Sequence, residues 1–375
     1  MSNLLNKPRY KIGIIGEGKM GTNLFYYLID YNYPLVWVCS QEADEEKLTQ
    51  TFHKKLKRSL KNKIINKSTH DQKIKSAVIS KNLQSLAGCN IIIEAINEDQ
   101  KQKIDLFKEL NSIITENCIL SSNTSSIPLS KLAQVIERKD KFVGLHFFYP
   151  IAFKNIVEVN TTSNTSPETI ENVKEFLSSV KRTSLVLPEK ANFILNRLFL
   201  DFHVEACRIL DEKVLNIKEI DDLVKENIFP IGIFEFFDYV GNDLILFSVI
   251  NYTKKSDRQD FYQPFINKLK QLVAENKLGI KTKCGFYNYK KNEESLHISK
   301  KDITNIDEYK KRIINKLLLL YLDSSFDIVL KGYCGPDEIE YAVKEYMGCE
   351  KGPVSLANEI GYKKSKLYSL DILRT

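Results

Sequence analysis

No stretch of the sequence approaches the roughly 18 consecutive apolar residues that a membrane-spanning helix needs, so no membrane association is expected. The opening segment MSNLLNKPRY carries no apolar core of a secretory signal, and the expected location is the cytoplasm. Cysteine is scattered: Cys39, Cys89, Cys118, Cys207, Cys284, Cys334 and Cys349 are odd in number and form no CxxC pair. That spacing excludes a disulfide framework and a zinc site, so reduced, packed thiols and no metal are expected. The lysines show neither aromatic interleaving nor a groove-reading element, which excludes a nucleic-acid partner. Histidine is scarce as well, with five in the chain, so few places can support imidazole chemistry.

What is present is ordinary for a globular protein. Hydrophobic residues make up 43% and charged residues 27% of 375 residues, enough for two or three domains with substantial cores. The net charge of +7 suits anionic ligands such as phosphates. The lysine-rich stretch 54–67 is threaded by Leu48, Phe52, Leu56, Leu60 and Ile64 at every fourth position. That period predicts one buried stripe of an amphipathic helix whose basic face is solvated.

The first strong signal is YKIGII at 10–15 followed at once by GEGKMG. Gly16, Gly18 and Gly21 therefore fall where a strand turns into a helix. The first permits the tight turn, the second lets backbone approach a pyrophosphate, and the third lets helix and strand pack closely. Lys19 and Met20 belong to the same cradle. A helical pattern (Leu24, Tyr27, Leu28) and a second strand, PLVWVC at 34–39, complete a dinucleotide-binding unit. Such units usually carry an acid at the end of the second strand for the adenosine ribose. Here the chain reads Val38-Cys39-Ser40-Gln41, the first acid after the strand is Glu42, and no arginine stands ready for a 2′-phosphate. NAD is the expected cofactor, with NADP left open.

Further strands are expected at 91–96 (IIIEAI), 118–126 (CILSSNTSS) and 142–148 (FVGLHFF), with helices between them marked by Ile104, Phe107, Leu110, Leu129 and Leu132. Strands alternating with helices after a glycine-rich turn predict an α/β, Rossmann-type doubly wound parallel sheet. Ligands on such sheets lie beyond the carboxyl ends of the strands, which directs attention to Asn97-Glu98, Ser122 to Ser126, and His146. Twelve residues after His146 comes Glu158 in the strand-like IVEVN, and Pro150 between them allows the two segments to fold side by side. Imidazole backed by a carboxylate is suited to take a hydroxyl proton near neutral pH.

The blocks GEGKMG, IIIEAINED, ILSSNTSSIPLSKLA, FVGLHFFYP, NFILNRLF, PIGIFEFFDYVGND and GIKTKCGFYNYK occur in this order. Together they resemble the 3-hydroxyacyl-CoA dehydrogenase family over nearly the whole chain. The resemblance implies a hydride exchanged between NAD and C3 of a (3S)-3-hydroxyacyl-CoA or its 3-oxoacyl counterpart. His146 then resembles the family's catalytic base and Glu158 its paired carboxylate. Ser125 resembles the hydroxyl that bonds the reacting oxygen, and Asn196 the amide that orients the substrate. Glu98, Lys103 and Asn123 match positions on the cofactor side. The chain departs from the family pattern at Tyr149 (usually HFFNP), at Ala191-Asn192 in place of Pro-Gly, and at Ile231-Gly232-Ile233 in place of Met-Gly-Pro. These departures bear on substrate and cofactor preference more than on reaction class.

From about residue 190 helical patterns take over. The expected division is 1–188 for the dinucleotide-binding domain, 189–290 for a first helical domain, 291–307 for a linker and 308–375 for a second helical repeat. Glu219 and Glu338, Ile220 and Ile339, Val224 and Val343, and Gly241 and Gly361 recur at near-constant offset, the mark of a duplication. Single-copy family members resemble homodimers through this domain, so a chain with two copies is expected to be a monomer built as an intrachain pseudo-dimer, with a homodimer as the alternative. Two other readings stay open on sequence alone: the same chemistry on an acyl-carrier-protein thioester, and a non-catalytic dinucleotide-binding or structural protein on this scaffold.

Overall fold

In a computed structural model the described residues are 10–362 apart from 192, 255, 291–292 and 295–302. Most of the linker expected over 291–307, and the end of the second repeat beyond 362, lie outside them. The chain forms two compact units, 1–192 and 193–375.

The first unit is built on β1 (Ile12–Ile15), α1 (Lys19–Leu28), β2 (Leu35–Val38), α2 (Glu45–Lys61), α3 (Lys67–Ser76), β3 (Ala77–Ser80) and β4 (Ile91–Glu94). There follow α4 (Gln100–Leu110), β5 (Ile119–Ser122), α5 (Leu129–Ala133), β6 (Phe142–Phe147), β7 (Ile156–Asn160), α6 (Pro167–Ser179) and β8 (Thr183–Leu187). The eight strands form one sheet in the order β3-β2-β1-β4-β5-β6-β7-β8. Every pairing is parallel except β6 with β7, which is antiparallel. Continuous apolar strands such as Ile91-Ile92-Ile93 are what a sheet covered on both faces requires. One face packs Phe25, Trp37, Phe52, Val157 and Phe176, and the other Leu86, Phe107, Leu120, Leu132 and Phe142.

Three sequence expectations change. The strand at 118–126 stops at Ser122, because Thr124 to Ser126 turn their polar groups towards a carboxylate described below and Asn123 turns its side chain to the Phe147 amide. Ile64 is 72% exposed: α2 ends at Lys61, so the last member of the fourfold stripe falls off the helix that the other four define. β3 and β8 were not foreseen. β3 is four residues long and only partly covered at the sheet edge, so its apolar pattern is too short to stand out.

The second unit is helical, apart from a two-residue pairing of Tyr287–Asn288 with Glu293–Glu294. Its helices are α7 (Ile194–Leu198), α8 (Leu200–Asp211), α9 (Ile217–Asn227), α10 (Ile233–Val240), α11 (Asn242–Thr253), α12 (Gln259–Ala274), α13 (Ile306–Leu330), α14 (Pro336–Met347) and α15 (Pro353–Glu359). Here α9–α10 and α14–α15 use one device twice. Asp221 on α9 accepts hydrogen bonds from the backbone amides of Phe234 (2.9 Å) and Glu235 (3.0 Å) at the start of α10. Glu340 on α14 accepts from Val354 (2.8 Å) and Ser355 (3.2 Å) at the start of α15. The first turn of a helix leaves such amides without intrahelical partners, so a carboxylate there satisfies donors and opposes the positive end of the dipole. The approach is so close that a Cβ on Gly232 would lie 2.3 Å from Asp221 Cγ, and one on Gly352 2.5 Å from Glu340 Oε2. α9 opens with a capping box between Asn216 and Glu219, and at the start of α14 Glu338 accepts the Gly335 amide at 2.7 Å, the half of that box that glycine permits. α13 packs along α8, with Tyr321 stacked on Phe199 and Lys316 paired with Glu205. Among the described residues no helix is long and apolar enough to cross a membrane.

Candidate active site

The dinucleotide cradle forms as its glycines require. Gly16 has φ +111, and a Cβ there would lie 2.5 Å from the Ala95 carbonyl oxygen. A Cβ on Gly21 would lie 2.0 Å from the Gly16 oxygen, so helix and turn touch backbone to backbone. At Gly18 a Cβ would meet nothing within 4 Å, and Gly18 is the exposed N-cap of α1 with no side chain capping it. The amides at the start of this ten-residue helix therefore face open space, and α1 has no acid in its first turn. A pyrophosphate fits that place by both charge and size. Of the two other cradle residues, Met20 packs partly buried against the core, and the Lys19 ammonium lies 3.9 Å from the centre of the Tyr149 ring. The unusual tyrosine beside His146 is thus in cation–π contact with the glycine turn.

His146 and Glu158 stand directly opposite each other across the antiparallel β6–β7 pair. Directly paired residues of such strands point to the same side, so strand register alone brings the two side chains together. His146 Nδ1 lies 2.7 Å from Glu158 Oε2, with His146 5% and Glu158 0% exposed. The Phe148 ring packs edge-on to the imidazole at 4.4 Å. A carboxylate on Nδ1 fixes the tautomer and assigns proton exchange to Nε2.

A second cluster lies at the carboxyl ends of β4 and β5. Glu98 Oε1 accepts from Thr124 Oγ1 (2.6 Å), from the backbone amides of Ser125 (2.9 Å) and Ser126 (3.1 Å), and from Ser126 Oγ (3.1 Å). The Lys103 ammonium, 1% exposed, donates to Glu94 Oε1 at 2.5 Å and lies 3.4 Å from Glu98 Oε2. Burial works to raise the Glu98 carboxyl, but Lys103 and the donors of 124–126 prevail and hold it below the usual carboxylate range. Glu94 also accepts from Ser122 Oγ at 2.5 Å, and burial pushes its carboxyl up against the pull of Lys103. Asn123 Oδ1 accepts the amide of Phe147 at 2.9 Å, which ties the serine loop to the strand carrying His146.

The structure thus brings together two groups of the expected residues, His146 with Glu158 and Ser125 with Glu98. Lys103 is a buried brace for Glu98. Asn196 belongs to the second unit, on α7, where its Nδ2 donates to Tyr252 Oη at 3.2 Å. Sequence reasoning missed Glu94, and it took Ser122 to Ser126 as one ligand-edge run without separating Ser122, which donates to Glu94, from Thr124, which donates to Glu98. The available signal was an acid inside an otherwise apolar strand, which demands a buried partner.

Residues 11–190 match the family model described as 3-hydroxyacyl-CoA dehydrogenase, NAD binding domain, and residues 193–289 match its C-terminal domain. The chain is 32% identical over 290 residues to the hydroxyacyl-coenzyme A dehydrogenase, mitochondrial, of Homo sapiens, covering 74% of this chain and 91% of that one. It is 30% identical over 284 residues to the 3-hydroxybutyryl-CoA dehydrogenase of Clostridioides difficile, covering 75% of this chain and all of that one. In fold it is similar to the crystal structure of 3-hydroxybutyryl-CoA dehydrogenase from Escherichia coli, with a TM-score of 0.79, 18% identity, and coverage of 94% and 91%.

Proposed function

The chain belongs to the 3-hydroxyacyl-CoA dehydrogenase family, and on that premise we propose the roles its residues play in the NAD-dependent interconversion of 3-hydroxyacyl-CoA and 3-oxoacyl-CoA. The supporting observation is the buried His146–Glu158 pair at the carboxyl end of β6. His146 Nε2 takes the proton of the substrate's 3-hydroxyl in oxidation and returns one to the forming alkoxide in reduction. Glu158 holds Nδ1–H and offsets the imidazolium charge, which removes any need for the ring to rotate between steps. Ser125 donates to the reacting oxygen, its backbone anchored through Glu98. Asn196 of the second unit orients the substrate through its amide.

NAD, when bound, supplies the hydride acceptor. The open cradle at Gly18 and the uncapped start of α1 would hold its pyrophosphate, and Glu98, braced by Lys103, would face the nicotinamide ribose. We read α13–α15 as a second copy of α8–α10, paired with the first inside one chain, so that the enzyme is a 43.3 kDa monomer.

The test is reduction of acetoacetyl-CoA by NADH, followed by nicotinamide absorbance, on a preparation whose mass is measured in solution. His146→Gln is expected to lower kcat by about 10²–10⁴-fold, with NADH affinity unchanged. Ordinary turnover by this variant would remove His146 from the role of base.

A further inference from the structure

The adenosine end of the dinucleotide site lacks the acid that the second strand usually supplies, because Cys39 and Ser40 follow Val38 there. The structure places a carboxylate at that spot from another element. Glu17, between the first two glycines of the cradle, reaches across to the end of β2. Its Oε2 accepts the Ser40 backbone amide at 2.9 Å and its Oε1 accepts the Ser40 hydroxyl at 2.7 Å. We propose that Glu17 is the adenosine-ribose carboxylate of this enzyme and the residue that sets its preference for NAD over NADP.

Three observations carry this. Glu17 is half-buried beside Gly18, whose side is open, so its carboxylate lies at the edge of the place a pyrophosphate would take. A carboxylate has about four acceptor positions, so the two Ser40 donors fix its orientation and leave capacity for the two ribose hydroxyls. The charge of the rim also agrees. Glu45, whose carboxylate accepts the Lys81 amide at 2.9 Å, adds a second acid beside the end of β2, and the Lys81 ammonium is turned to the Gln41 carbonyl at 2.8 Å. A ribose diol gains hydrogen bonds to an anion in such a rim, whereas a 2′-phosphate meets like charge at contact distance. The Glu17 carboxyl is ionised near neutral pH: burial works to raise it, but the hydroxyl and amide of Ser40 prevail and hold it below the usual range.

The role differs from that of an acid on β2. There the strand end fixes the carboxylate. Here the glycine turn carries it and the strand end supplies only donors, so Ser40 is its positioning residue.

The test uses ADP-ribose and its 2′-phosphate as probes, titrated calorimetrically into the full chain, since both lack nicotinamide and binding is read without turnover. Wild type is expected to bind ADP-ribose at least about 10-fold more tightly than the 2′-phosphate. Glu17→Gln, which keeps shape and removes charge, should weaken ADP-ribose by about 10-fold and bring the two probes within a few-fold of each other. Melting curves with and without probe establish that the variant is folded. Equal affinity of wild type for the two probes would overturn the proposal, as would an unchanged ratio in Glu17→Gln, and neither outcome depends on His146 being the base.

Discussion

Both units bury carboxylates, and they balance them differently. In the first, Glu158 meets an imidazole, and Glu94 and Glu98 share the ammonium of Lys103. In the second, the buried Asp221 and Asp238 and the partly exposed Glu340 accept from backbone amides, whereas the buried Glu205 pairs with Lys316. Asp238 accepts from Phe286 (2.9 Å) and Tyr287 (2.8 Å), as Asp221 does from the start of α10 and Glu340 from the start of α15. An acid balanced by a side chain that exchanges protons can serve chemistry. An acid balanced by peptide N–H groups fixes the path of the chain. Under the proposed mechanism the same functional group serves chemistry at Glu158 and fixes the chain path at Asp221 and Asp238, and the partner decides which.

The strongest way to break this contrast is to remove a charge from the first unit and ask what fails. Glu158→Gln keeps the volume and a hydrogen bond to Nδ1 but withdraws the charge that, on the proposed mechanism, steadies the imidazolium. The expected outcome is a kcat about 10²–10⁴-fold lower, with NADH affinity changed little. A variant that loses stability yet keeps turnover would make Glu158 an architectural acid like those of the second unit.

The next effect is smaller and falls on stability. Asp221 is fully buried, and burial pushes its carboxyl up to about 7 despite the amides of Phe234 and Glu235 and the hydroxyl of Tyr287. In the unfolded chain the group titrates near 4, so the native state binds the proton more tightly between those values. The stabilisation this gives is complete below about pH 4 and is lost as pH rises through about 7. Asp221→Asn remains neutral throughout and loses one acceptor, for a cost of about 1–3 kcal/mol at low pH. The melting-temperature gap between wild type and variant should be wide at pH 5 and narrow at pH 8. A gap that widens with pH would show that the ionised form is the one the fold prefers.

How much of this could be read from sequence follows from the range of each signal. The glycine cradle was legible because its residues lie within six positions and each glycine has a local steric reason. His146 and Glu158 were legible because a turn containing Pro150 joins two apolar strands, and antiparallel register then does the rest. Glu94 was hidden by its surroundings: IIIEAI reads as one buried strand, and nothing local says that its acid meets Lys103 across the turn into α4. Glu17 occupies a position that the fingerprint treats as free, so only coordinates reveal that it reaches Ser40, twenty-three residues on. The duplication showed itself through identical residues at offsets of 119 and 120, and that criterion passes over Asp221 and Glu340. They stand at the first of those offsets and make the same bonds, yet they differ in side-chain length.

That last difference sharpens the comparison within the second unit. Glu340 reaches α15 from a partly exposed position. Burial again works to raise its carboxyl, but the Ser355 hydroxyl and the amides of Gly352, Val354 and Ser355 outweigh it and hold it below the usual range. The sign of its pH dependence is therefore opposite to that of Asp221: its contribution is present above the ordinary glutamate range and is lost as pH falls through the lowered value. Because water can replace the carboxylate at this site, Glu340→Ala should cost only about 1 kcal/mol, the size of a lost helix cap. Its melting gap should be open at pH 7 and close towards pH 3, while that of Asp221→Asn closes in the other direction. Two copies of one device, one sealed and one wet, would then respond oppositely to a single titration. If both gaps moved the same way with pH, burial would not be what separates the two copies.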